Sequence, residues 1–154
     1  MKMSASERWA LYPMHLIFMF LIHFCFGGMN VLWFIIYGEY SAGVYVFSAL
    51  FLLTWLVYSM SMRKHWVDFM ILSSVHWLGG LAFFLFFYAL NHSSSITFIL
   101  LFPFYGSLLG LSKLFINTSF ETTGLITLNL ICYAIIMLFT LLAGRRSQQL
   151  NKTM

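Results

Sequence analysis

The chain has 154 residues, of which 62% are hydrophobic, 20% aromatic and 8% charged, with a mean hydropathy of +0.90. A soluble domain carries about 25% charged residues, so this much charge cannot cover a water-facing surface; a soluble enzyme, a disordered tail and a nucleic-acid-binding domain are excluded. Eight cations against four anions leave a net charge of +4, which reads as polar flanks facing anionic headgroups and not as a surface for nucleic acid.

The composition predicts an all-α fold, a polytopic transmembrane helical bundle forming a single domain over residues 1–154. Five hydrophobic segments are expected, at about 11–37, 44–62, 67–90, 96–115 and 124–143, followed by a short polar tail, 144–154. Stretches such as 16–22 and 81–88 are apolar on every face, whereas barrel strands alternate apolar and polar residues. A helix satisfies its own backbone in hydrocarbon, so such runs can span. Short connections predict that consecutive helices pack as antiparallel neighbours.

The first segment, 27 residues at ~1.5 Å each, reaches ~40 Å against ~30 Å of hydrocarbon. It has to tilt or bend, and Gly27-Gly28 is the expected hinge. The N-terminus lacks a small-residue cleavage site and reads as an uncleaved first helix. The third segment carries His76-Trp-Leu-Gly79-Gly80. Glycines at 79 and 80 are expected to admit a neighbouring helix. In the fourth segment Pro103 is a second expected hinge, and Gly106 and Gly110 form a small-x-x-x-small packing step. That segment reads as a kinked packing helix, as a broken helix lining a substrate path, or as a stretch that enters the membrane and does not cross. The tail after the fifth segment lacks Gly and Pro beyond Gly144; it either frays or continues the helix into water. Cys25 and Cys132 have no metal or redox spacing and read as small buried hydrophobes.

Orientation depends on the fourth segment. If it crosses, the termini lie on opposite sides and the cations divide five against three. If it does not, both termini share one side and the division is seven against one, which the positive-inside rule prefers.

No Lys, Arg, Asp or Glu lies deep within an apolar run. That weighs against an ion-driven carrier and removes the residue sets of hydrolases and metalloproteases. The polar groups at depth include His15, His23, His76, Asn30 and Asn129. Helices one and three run parallel if helix two crosses between them, which puts His23 and His76 at similar depth. Two readings follow. In one, the two imidazoles ligate a haem b, with the nearby glycines leaving room for the macrocycle, or line a quinone or metal site. In the other, they hydrogen-bond between helices or line a small polar cavity. His15 lies about 80° round the helix from His23, too far to share one metal. His65 and His92, at run ends, read as solvated.

Five aromatic-rich segments in about 150 residues, the turn Arg63-Lys64-His65-Trp66 and the polar exit Gly144-Arg-Arg-Ser-Gln-Gln-Leu-Asn-Lys152 resemble in layout the membrane sensor module of DesK-like bacterial histidine kinases. The resemblance implies a helical module that signals through its packing. The leading expectation is therefore a non-enzymatic, multi-pass cell-membrane protein without a resident cofactor. It would act as a sensor, regulatory or accessory subunit with a membrane or cytoplasmic protein partner, or with further copies of itself, in contact with the lipid bilayer and not with nucleic acid. The alternatives are a haem b or quinone-binding redox subunit using His23 and His76, and a small oligomeric transporter.

Overall fold

A computed structural model describes residues 5–37, 42–89, 106–108, 110–112 and 122–153. Four long helices dominate: α1 (Ala5–Tyr37), α2 (Ala42–Ser61), α3 (Trp66–Ala89) and α4 (Thr122–Thr153), with one 3-10 turn, Arg63–His65, joining α2 to α3. No strand occurs among the described residues. Four stretches are long and apolar enough to cross a membrane: Tyr12–Tyr37, Ala42–Ser61, Arg63–Phe86, which takes in the 3-10 turn and most of α3, and Ile126–Gln149. The protein is an all-α, multi-pass membrane bundle.

Some hydroxyl side chains in the helices are satisfied locally. Thr54, Ser74 and Thr140 each donate to the carbonyl four residues back, Leu50, Met70 and Ile136, so hydroxyls can sit in hydrocarbon without a water partner. The outer surface is apolar: Ile35 is 72% exposed, and Ile17, Leu32, Val57 and Leu138 also face outward. Lipid, and not water, suits that surface.

Cross-helix contacts fix the directions. Trp33 meets Gly43 and Phe18 meets Tyr58, so α1 and α2 are antiparallel. His23 meets His76 and Tyr12 meets Asp68, so α1 and α3 are parallel. Trp66 lies on Gly144 and Ser74 on Tyr133, so α3 and α4 are antiparallel. Backbones approach closely between α1 and α2, α1 and α3, α2 and α4, and α3 and α4. The helices therefore stand at the corners of a square, with α2 diagonal to α3. This corrects the expectation that consecutive helices are neighbours. Trp55 and Tyr58 of α2 reach Phe69 of α3 across the centre, and rings of that size hold the two backbones apart.

The directions also decide the course of the chain. α3 ends and α4 begins at the same end of the bundle, so the connection between them returns to the side it left. Four candidate spans are present among the described residues, and of the expected segment 96–115 only residues 106–108 and 110–112 are described. Its described residues pack inside the far half of the bundle: Gly106 abuts Gly27 and Val31 of α1, and Gly110 abuts Val44 and Tyr45 of α2. The expected hinge at Pro103 lies outside the described residues, as does His92.

With four spans, the start of α1, the turn 63–65 and the end of α4 share one end. Arg63, Lys64, Arg145 and Arg146 are all exposed there, and Arg8 and Lys152 belong to the same helix ends. Cations therefore gather at one end of the described bundle. The tail does not break from the bundle: α4 runs through Gly144 to Thr153 as one helix of 32 residues, ~48 Å long.

Candidate functional site

Polar side chains in a membrane helix turn inward and pair with one another. On α1 they recur along one face, at Tyr12, His15, His23 and Asn30. Each is matched by a different partner. The Tyr12 hydroxyl donates to Asp68 Oδ1 of α3 at 2.7 Å. His15 Nδ1 bonds the Tyr58 hydroxyl of α2. His23 Nδ1 and His76 Nε2 of α3 are 2.9 Å apart. Asn30 Nδ2 donates to Ser48 Oγ of α2 at 2.9 Å, Gly106 O at 2.8 Å and Ser107 O at 3.2 Å. The line runs from the cationic end of the bundle to its far half, over ~27 Å.

The imidazole pair sits close to the midpoints of the spans Tyr12–Tyr37 and Arg63–Phe86. His23 is 1% exposed and His76 8%. Around His23 the ring centroids of Phe51, Trp55 and Trp77 lie at 4.6, 5.5 and 5.1 Å, all edge-on. His76 lies 4.6 Å from His23 and 5.7 Å from Trp55. The Met19 carbonyl, one turn back on α1, lies 3.4 Å from His23 Nδ1. Local helix geometry produces this box. Phe51 and Trp55 are four apart on α2, His76 and Trp77 are adjacent on α3, and the diagonal placement of α2 and α3 closes the rings over α1.

This geometry separates the two readings of the histidines. They form an interhelical hydrogen bond. A bis-imidazole haem holds its two ligand nitrogens on opposite faces of a macrocycle; here the nitrogens touch, and three large rings close on His23 from the sides. At this separation the two nitrogens do not fit on opposite faces of a haem. Among the described residues no group of three or more His, Cys, Asp or Glu could hold a metal ion.

The glycines separate into two kinds. A Cβ on Gly106 would meet the Gly27 carbonyl at 2.8 Å and Val31 Cγ2 at 2.9 Å, and one on Gly110 would overlap the Val44 backbone. Those two glycines, with Gly27, mediate close approach. Gly28 and Gly79 have open space where a Cβ would stand, and both face outward, as Gly80 does in part. A side chain at Gly79 would therefore meet no helix among the described residues. Helix α1 runs uninterrupted through Gly27-Gly28 and also past Pro13. Cys132 is buried, as expected, but Cys25 is exposed on the outer surface, because its neighbours on the helix face point outward.

Several members of the site carry no sequence signal of their own. Trp55 and Trp77 read as generic aromatics until the diagonal packing is known. Asp68, near the start of α3, gains a role only once Tyr12 is placed beside it. Comparisons with protein-family models, with curated proteins and with solved structures return no match.

Proposed function

We propose that this is a sensor or regulatory subunit of the cell membrane that acts on a protein partner through its C-terminal helix, in the manner of the sensor modules it resembles in layout. The observation that carries the reading is the continuity of α4. One helix joins the far end of the bundle to the polar tail at Thr153, so a tilt or rotation within the membrane reaches the tail undamped. Gly144 sits where that helix passes Trp66 at the cationic end, and a Cβ there would overlap the indole. α4 is thereby seated against α3 at the point of exit. A bundle whose helices exceed the hydrocarbon thickness responds to bilayer thickness by tilting, and a shared side for both termini puts the tail beside cytoplasmic partners.

The test is a distance measurement between spin labels at Ser61, at the end of α2, and Ser147, in the tail, in bilayers of short and long acyl chains. The distance is expected to change with thickness, and a photocrosslinker at Gln148 is expected to capture a discrete partner in native membranes. A tail that holds the same distance in every bilayer and captures no partner overturns the reading.

A further inference from the structure

The turn between α2 and α3 is short and tied down. Met62 N donates to Tyr58 O at 3.1 Å and His65 N to Met62 O at 2.8 Å, and Met62 packs against the core. The turn therefore holds Arg63 and Lys64 on a fixed backbone, where the span Arg63–Phe86 begins. Its backbone also approaches α4 closely, and Trp66, immediately after it, lies on Gly144. Arg145 and Arg146 follow Gly144 directly. Two basic pairs, distant in the chain, are thus brought to one seam. All four side chains are exposed, and none makes an ion pair with a described residue. Asp68, the acid closest in sequence to the turn, is engaged by Tyr12 of α1 instead.

We propose that this seam binds the headgroup of an anionic phospholipid, its phosphodiester held between the turn 63–64 and the start of the tail. A guanidinium presents a fork of N–H groups that matches two phosphate oxygens, and the Lys64 ammonium adds a point charge. A headgroup with its own ammonium, such as choline, would bring a further cation among four. A glycerol headgroup leaves the lipid negative and suits the cluster. The height is right as well. The four cations stand at the ends of the spans Arg63–Phe86 and Ile126–Gln149, and the indole of Trp66 suits the interface beside them. Toward the hydrocarbon, Val67 and Ile71 of α3 and Leu138 and Leu142 of α4 face outward and give acyl chains an apolar wall.

Convergence, and not net charge, singles out the seam. Lys2, Arg8, Lys113 and Lys152 carry the same total charge, so a general attraction to an anionic surface would act on both sets alike. A free anion has to be drawn from bulk water, where exposed charges are screened within about 8 Å. A lipid is already confined to the plane in which the four cations lie. A phosphodiester bridging the turn and α4 would tie the exit of α4 to the α2–α3 corner, so that lipid composition sets how firmly the tail is seated. The site goes beyond the proposed signalling role and does not depend on it.

The experiment uses the full chain in phosphatidylcholine nanodiscs doped with a phosphatidylglycerol that carries a photoreactive group beside its phosphate. Mass spectrometry maps the labelled peptides. Labelling is expected to saturate and to concentrate on residues 61–68 and 143–149. Unlabelled phosphatidylglycerol is expected to compete, and added phosphatidylcholine or inorganic phosphate is not. An Arg63→Gln/Lys64→Gln/Arg145→Gln/Arg146→Gln variant is expected to lose labelling by more than about tenfold. A Lys2→Gln/Arg8→Gln/Lys113→Gln/Lys152→Gln variant, which removes equal charge, is expected to keep it. If the first variant fails to fold, the peptide map of the unaltered chain decides alone. The proposal is overturned if labelling spreads evenly over all span ends, or if the two variants lose it equally. Competition by inorganic phosphate as effective as that by the lipid would also overturn it, since the site would then take a free anion.

Discussion

Toward the cationic end and the midplane, the interior of the bundle is filled with rings: Phe51, Trp55, Tyr58, Phe69 and Trp77. Toward the other end it is filled with Gly27, Asn30, Ser48, Gly106 and Gly110. Lipid tails are as apolar as leucine, so hydrophobicity alone gives helices no reason to associate in a membrane. The two halves show two different substitutes. Rings gain dispersion contacts over large areas and hold backbones apart. Glycines let backbones come close enough for amide and hydroxyl groups to bond across them. The ring half should therefore be sensitive to lost volume, and the glycine half to added volume.

The largest effect is expected from emptying the ring half. Trp55 is fully buried and its ring contacts Phe51, Tyr58, Phe69 and Trp77 as well as both histidines. Trp55→Ala should destabilise the bundle by about 3 kcal/mol, the low end for such truncations, because only packing and not transfer from water is lost in lipid. Reversible unfolding in mixed micelles measures it. A cost below about 1 kcal/mol would mean that the rings are loosely packed and that the contrast between the halves is false.

Adding volume should reverse the ranking. Gly110→Val drives a side chain into the Val44 backbone, where no flexible atom can yield, and overpacking of this kind costs about 1–3 kcal/mol. Gly28→Ala and Gly79→Ala, which meet nothing within 4 Å, should be neutral or stabilising by up to about 1 kcal/mol through helix propensity. The same unfolding assay compares the three variants. Equal costs at Gly110 and Gly28 would show that position 110 is not the close contact described.

Much of this was legible in the sequence and some was not. Helical spans follow from run length, because backbone satisfaction in hydrocarbon leaves few alternatives, and the equal depth of His23 and His76 follows from counting residues along parallel helices. Whether 96–115 crosses could not follow from its own composition. A stretch apolar enough to span is also apolar enough to fold into a bundle. The diagonal relation of α2 and α3 was hidden for a similar reason: a short turn limits distance between helix ends, not which neighbours the helices choose along their length. The outward placement of Gly79 was equally invisible, since a helix apolar on every face carries no periodicity to say which side is inside.

The smallest effect concerns the amide that ties the glycine half together. Asn30 shares two N–H hydrogens among Ser48 Oγ, Gly106 O and Ser107 O, while Ser48 Oγ also accepts from Gly110 N at 3.0 Å. Asn30→Ala should cost about 1 kcal/mol, near the measured range for interhelical bonds in membranes. Ser48→Ala should cost a similar amount, because it leaves the Gly110 N–H without its acceptor. Since the two side chains bond each other and the same segment, their costs should not add. A double-mutant cycle is expected to return a coupling of about 0.5–1 kcal/mol. Strict additivity would show that Asn30 and Ser48 act on residues 106–110 independently, and that glycine approach alone, without this polar clamp, seats the segment against α1 and α2.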